Sequence, residues 1–279
     1  MSSRRKPTPN NPNDLRQRIL DYFQTLRVPL SAADLDAVLA EAEKQRWTPL
    51  ELLSRLLGPQ ADLRRQRAID RRIREARFRE PVTLEGFDWQ FNAQSIDRVQ
   101  IETLATGEFI RRGDNLVILG QSGVGKSHIV QAVGRAACVR GYRVRYITSA
   151  ELLQDLTASL ADHTLPERLR YYSNFDLLAI DEFGFDRIER AESSQAASLL
   201  YKVVDGRTKR STAMVTNISF EAWAEYLGDA PLAMAILDRV VDGAIILKIE
   251  GRSYRASRLK RPLPGKDGKA AKQLPKPAA

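Results

Sequence analysis

At 279 residues, 43% apolar and 28% charged, the chain has an ordinary globular composition. It is long enough for one large domain and a smaller one, which excludes a disordered, collagenous or wholly coiled-coil protein. No stretch approaches the roughly 18 consecutive apolar residues of a membrane span, and a single cysteine, Cys138, excludes a disulfide framework and a Cys-based zinc site. With only His128 and His163 besides, a His/Cys metal site is ill supplied.

The net charge of +9 is unevenly placed. Residues 64–79 carry eight Arg against Asp70 and Glu75, and residues 258–279 carry seven Lys/Arg against Asp267, while residues 80–257 are net negative. Concentrated Lys/Arg is the electrostatic footprint of a polyanion partner; a solvated helix face and a soluble tail would read the same way.

In chain order, residues 1–14 read as a flexible basic arm with no apolar core, hence no signal peptide and a cytoplasmic protein. Residues 15–60 have helical spacing (Ile19, Tyr22, Phe23, Leu26; Leu35, Val38, Leu39; Leu50, Leu53, Leu56, Leu57) and predict a small domain of three helices. Ser31 and Thr48-Pro49 mark fresh helix starts, and Gly58-Pro59 is expected to end the third. Residues 61–79 continue as an Arg-rich connector helix.

From residue 80 to 257 strands and helices alternate. Apolar runs predict strands at Leu116–Leu119, Val144–Ile147, Phe175–Ile180, Thr212–Val215 and Ala244–Ile249. Helices are expected over Lys126–Arg140, from a Thr148/Glu151 capping pair toward Leu160, and over Glu192–Val204. This pattern implies an α/β fold with a parallel sheet between helices. Residues 258–279, rich in Lys, Pro, Gly and Ala, read as a disordered basic tail.

Residues 120–127 (Gly120, Gln121, Ser122, Gly123, Val124, Gly125, Lys126, Ser127) fit G-x-x-x-x-G-K-[ST] between a predicted strand and a predicted helix. Glycines let the backbone wrap a phosphate, and the loop amides and helix N-terminus supply donors and partial positive charge. Lys126 would reach the β- and γ-phosphates of ATP and Ser127 would bind Mg²⁺. The third strand ends in Asp181-Glu182, 55 residues beyond Lys126. Asp181 would hold the Mg²⁺ through water and Glu182 would deprotonate the attacking water; a second acid at this point argues for a hydrolytic ATPase over a small-molecule kinase. Asn217, closing the fourth strand, either positions that water or belongs to a helix cap with Ser219 and Glu221. Arg239 is either an arginine finger for ATP held by a neighbouring subunit or an ordinary ion pair with Asp238 or Asp242.

Together these segments resemble the IstB-like helper ATPases of insertion sequences, in the AAA+ class beside the DnaC helicase loaders. The resemblance covers residues 72–258. It is carried by Ala76-Arg77-Phe78 leading to Leu84-Glu85-Gly86-Phe87-Asp88, the phosphate loop, Asp176-Leu177-Leu178 through Asp181-Glu182-Phe183-Gly184, Leu237-Asp238-Arg239, and Glu250-Gly251-Arg252-Ser253-Tyr254-Arg255. It implies an AAA+ core of five parallel strands without a C-terminal lid, and an ATPase that oligomerises on duplex DNA and helps a partner transposase select and engage its target. It further implies Arg239 as the finger, Phe87 as a nucleotide contact and Arg255 as a nucleotide or inter-subunit contact. Val215-Thr216-Asn217-Ile218-Ser219 departs from the family's more usual Thr-Ser-Asn-Leu-Pro, and the first 60 residues match the family pattern poorly.

Candidate DNA contacts are Arg168 and Arg170, in an insertion before the third strand, and Lys209 and Arg210; each also reads as a solvated surface charge. Two alternatives share the ATPase core: a DnaC-type helicase loader acting on single-stranded DNA, and an ATP-gated DNA scaffold with negligible hydrolysis. The intact Lys126, Asp181 and Glu182 argue against the scaffold, and the lack of a Cys-rich zinc extension argues against the loader.

Overall fold

Two short polar signals shape the first helices. In the computed structural model, which describes residues 12–185 and 195–259, helix α1 spans Pro12–Thr25, α2 Ala32–Gln45 and α3 Pro49–Ala76. Ser31 and Asp34 form a reciprocal capping box at the start of α2, and Thr48 and Glu51 do the same for α3, with Pro49 at its first position. Such boxes satisfy two otherwise orphaned amides each. Arg16 clasps Asp36 through both Nε and Nη2, at 2.7 and 2.6 Å, which ties α1 to α2.

The expected stop at Gly58-Pro59 does not occur: α3 runs through it as one helix. Pro59 deletes only the bond its own N–H would give the carbonyl of Arg55, on an exposed turn where water can replace it. The strong helix formers on both sides carry the helix across. The chain divides after Arg71 into two compact units, so the division falls within α3. The expected arm and tail lie almost wholly outside the described residues, as does the start of the helix expected from Glu192.

The second unit is built on five strands: β1 Leu116–Gly120, β2 Val144–Thr148, β3 Leu177–Phe183, β4 Ser211–Thr216 and β5 Ile245–Ile249. All pair in parallel, in the order β2-β3-β4-β1-β5. β1 to β4 read as apolar runs because both their faces are covered. Leu116, Ile118, Leu177 and Ala179 face a cluster completed by α4 (Arg98–Leu104), α5 (Glu108–Arg112) and α6 (Lys126–Val139). Val117, Leu178, Ile180 and Met214 face the other, completed by α7 (Ser149–Ala161), α8 (Leu165–Ser173), α9 (Ala196–Asp205), α10 (Trp223–Leu227) and α11 (Ala230–Val241). The Thr148/Glu151 box caps α7 as the sequence predicts. The short α4 and α5 were not legible as separate helices. β3 begins two residues later than expected because the Phe175 carbonyl is turned to Arg207. After β5 only the short α12 (Tyr254–Leu259) follows among the described residues. This is a P-loop α/β fold without a helical lid among those residues.

Arg207 locks the turn before β4. It is 2% exposed and donates to the carbonyls of Tyr172, Phe175 and Ser211 and to Thr212 Oγ1. Burial pushes its guanidinium down to about 9, with Arg210 adding and Asp176 opposing, so it is still cationic at neutral pH. Arg207→Met orphans three buried carbonyls; stability should fall by roughly 3 kcal/mol or more, read as a lower denaturant midpoint. An unchanged midpoint would mean that these carbonyls find other partners.

Candidate nucleotide-binding site

A parallel sheet delivers the ends of all its strands to one edge. At that edge β1 opens into the loop of residues 120–125 and α6. The glycines are sterically required. A Cβ on Gly120 would lie 2.2 Å from the carbonyl oxygen of Ile249 at the end of β5. Gly123 and Gly125 have φ of +84° and +107°, conformations that side chains disfavour. Lys126, the first residue of α6, donates from Nζ to the carbonyls of Gly120 and Gln121 at 2.7 and 2.8 Å. Burial draws its pKa down, Arg255 adds to this, and Asp181 opposes it. Gln121 and Ser122 are exposed and Val124 is buried beneath the loop, while Ser127 sits in the first turn of α6.

Two segments wall the loop. Phe87 lies against Gly125, where a Cβ would come within 3.1 Å of its ring. Its ring meets His128 edge-on at 5.1 Å, and His128 Nε2 is 2.9 Å from the Thr83 carbonyl oxygen. On the other side, the Tyr254 amide donates to the Gly123 carbonyl at 2.8 Å, placing α12 and Arg255 by the loop. Asn92 fastens this segment, bonding the Arg252 carbonyl at 2.9 Å and accepting from the Arg252 amide at 3.0 Å. Nothing in the sequence signals Asn92, because it acts across 160 residues.

The acids sit at a bulge. Ile180 pairs with Met214 but Phe183 with Thr216, so β3 carries one extra residue there. Bulges re-aim side chains and recur beside active sites. Asp181 turns inward, 1% exposed, accepting from Tyr146 Oη and from the Glu182 amide, both at 2.7 Å. Burial and then the Asp181 charge push the Tyr146 hydroxyl far above its ordinary range, so it stays a donor. Glu182 turns outward and adopts φ of +61°, a left-handed conformation that costs a non-glycine residue about 1 kcal/mol or more. Its carboxylate pairs with Arg79 at 3.2 Å. Asn217 comes immediately after β4, and a Cβ on Gly184 would lie 3.1 Å from its Oδ1. Asn217 therefore stands beside the turn that follows Glu182. Neither contact is signalled in the sequence: Tyr146 meets Asp181 through the pairing of β2 with β3, and Arg79 meets Glu182 through its anchor on Gln131 of α6.

Arg239 is not brought to this edge. Its carbonyl accepts from Asn115, which precedes β1, so the length of β1, roughly 16 Å at 3.3 Å per residue, separates it from its own loop. Its guanidinium pairs with Asp205 at 3.2 Å, not with Asp238 or Asp242. The basic candidates lie toward the same, amino-terminal edge. Arg168 and Arg170 are on α8, paired with Asp155 and Glu167. Lys209 and Arg210 are in the turn before β4, which Arg207 fastens to the end of α8.

Among the described residues no group of three or more His, Cys, Asp or Glu could hold a metal by itself. The Ser127 hydroxyl and Asp181 carboxylate are hard oxygen donors of the kind Mg²⁺ takes alongside substrate phosphates. A glycine-rich loop between β1 and α6, a buried acid on the third strand and a parallel sheet of this order define the fold of the P-loop nucleotide-binding proteins.

The comparisons narrow this. The family described as IstB-like ATP binding proteins matches residues 22–261; the chain belongs to it. The match begins at residue 22, so the family extends over residues 22–60, where the sequence alone shows only a poor match. The chain is 33% identical over 240 residues to an ATP-binding protein of insertion sequence IS232 from Bacillus thuringiensis subsp. berliner, covering 86% of this chain and 94% of that protein. It is 33% identical over 222 residues to the ATP-binding protein of insertion sequence IS21 from Pseudomonas aeruginosa, covering 79% and 82%. Among solved structures, DnaI superposes with a TM-score of 0.50 at 21% identity, over 61% of this chain and 91% of that one, a likeness of fold.

Because the Gly120 constraint is against backbone, it has little room to relax. Gly120→Ala should weaken ATP binding more than tenfold, measured with a fluorescent ATP analogue. Gly58→Ala, with open space around it in α3, should leave binding unchanged. Equal affinities in the two variants would contradict the packing of Ile249 on the loop.

Proposed function

We propose that this protein is an ATP-hydrolysing, DNA-binding subunit that assembles on duplex DNA and assists the transposase of an insertion sequence. The observation that carries the hydrolytic part is the pairing of a buried Asp181 with an outward Glu182 at the bulge, one strand from Asn217 and two from the phosphate loop. ATP phosphates take over Lys126 from the carbonyls of Gly120 and Gln121 and receive the amides of residues 121–127. Ser127 and, through water, Asp181 would hold Mg²⁺, which would supply neutralisation of charge on the phosphates. Tyr146 keeps Asp181 oriented. Glu182 accepts the proton of the attacking water, and Asn217 fixes where that water sits. Phe87 and Arg255 flank the nucleotide.

Arg239 acts in trans. Its distance from its own loop leaves it free to reach ATP on a neighbouring copy, where it stabilises charge developing on the transferred phosphate. This makes turnover depend on assembly. The DNA contact is assigned to Arg168, Arg170, Lys209 and Arg210 and to the arginines of residues 64–77, Arg79 being engaged by Glu151 and Glu182. It is mainly to phosphates, so affinity falls steeply with salt. The insertion-sequence names of the relatives support the transposition role.

The deciding experiment is electron microscopy of the protein with ATP on duplex and on single-stranded DNA. Ordered assemblies on duplex, absent with ADP, are expected; binding confined to single strands would overturn the reading. Glu182→Gln should retain ATP binding and assembly but lose turnover by roughly 10²-fold or more, the scale of general-base catalysis. Arg239→Ala should leave ATP binding by the isolated subunit intact and cost the assembly on the order of 10³-fold in kcat. Turnover unchanged in Arg239→Ala would sink the finger.

A further inference from the structure

Arg79 follows the end of α3 by three residues, and its place is fixed from the phosphate-loop helix. Its amide and that of Glu80 donate to Gln131 Oε1 at 2.9 and 3.1 Å. Gln131 is 2% exposed, and its Nε2 donates back to the Ser127 carbonyl at 3.2 Å. From this anchor the guanidinium bridges two carboxylates: Nη1 meets Glu182 at 3.2 Å and Nη2 meets Glu151 at 3.0 Å. Nη2 also lies 3.5 Å from Thr148 Oγ1 at the end of β2.

The sheet order gives this contact a direction. β2 flanks β3 on one side; β4, with Asn217, and β1, with the phosphate loop, lie on the other. Through Arg79, Glu182 is drawn toward β2 and Glu151, away from the side where the loop and Asn217 stand. All three side chains are about half exposed, and exposed pairs of this kind contribute about 1 kcal/mol or less. The contact is therefore dispensable to the fold and weak enough to be broken by binding events. It also holds a residue whose backbone is already in an unfavourable conformation, the situation in which a second arrangement is accessible.

We propose that Arg79 is a positioning residue for hydrolysis: it holds the Glu182 carboxylate on the β2 side in the nucleotide-free protein, and turnover requires this ion pair to open. The inference rests on Glu182 being the base. Arg79 touches neither phosphate nor water in this scheme. It sets the fraction of molecules in which Glu182 faces the nucleotide, and with it the turnover of subunits that have not yet assembled on DNA. Opening the pair frees the Glu182 carboxylate to swing across the bulge, while Glu151 retains Arg79.

The test is steady-state ATP turnover, with ATP affinity measured separately, for Arg79→Gln with and without duplex DNA. Expected is at least a threefold rise in kcat without DNA, ATP affinity within twofold of the parent, and a correspondingly smaller stimulation by DNA. Introduced into Glu182→Gln, the same substitution should change nothing, since its effect passes through that carboxylate. A kcat that is unchanged or lower in Arg79→Gln at unaltered ATP affinity overturns the proposal, as does an equal rise in the Glu182→Gln background. If Arg79→Gln does not fold, Arg79→Lys, which keeps the charge but cannot bridge both carboxylates, carries the same test with a smaller rise expected. Glu182→Gln alone separates the two ideas: full turnover there removes the base assignment itself, whatever Arg79 does.

Discussion

A carboxylate that is 1% exposed must be solvated by the protein itself, and much of this site follows from how Asp181 meets that demand. An unpaired buried charge would cost several kcal/mol. Here the Tyr146 hydroxyl arrives from β2, the Glu182 amide from the bulge, and the Lys126 charge from the loop after β1. The extra residue in β3 turns the Glu182 amide toward Asp181 while throwing the Glu182 side chain outward. One buried acid thus fixes the bulge, the orientation of its neighbour and the side on which a phosphate can be received.

The second constraint is the crowding of the loop. β5 runs so close to Gly120 that no side chain fits, and the segment beyond it is tied to the loop at Gly123 and to the pre-loop region at Asn92. The candidate nucleotide site is therefore assembled from both ends of the unit, residues 83–92 and residues 249–255 closing on 120–127. In the proposed reading this gives a minimal enzyme a walled site with no helical lid among the described residues. It also leaves the opposite edge, with Arg239, Lys209 and Arg210, to act on neighbours and on DNA.

The parts of the site most legible in the sequence are those whose chemistry is local. Three glycines and a lysine at fixed spacing specify a backbone path, and Thr148 with Glu151 specifies a helix start three residues long. Buried parallel strands are legible because both faces are covered, which removes polar alternation. The N-terminal region was misread in two ways for related reasons. Pro59 looks like a stop by local rule, yet one missing bond on an exposed turn does not outweigh 28 residues of helix. The family match begins at residue 22, in a stretch whose sequence carries helical spacing and caps but no chemical motif to mark it.

By itself, then, the sequence determined the P-loop α/β class, the loop, the acidic strand end and the family, because each is written in contiguous residues with their own conformational demands. Only the tertiary structure decided that Tyr146 and Lys126 attend Asp181, that Asn92 and Gly120 close the loop, that Arg239 stands a strand's length from its own phosphate site, and that Arg79 holds Glu182. Those relations join residues tens to more than a hundred positions apart. Their energies depend on strand order, register and one bulge, which no local spacing encodes.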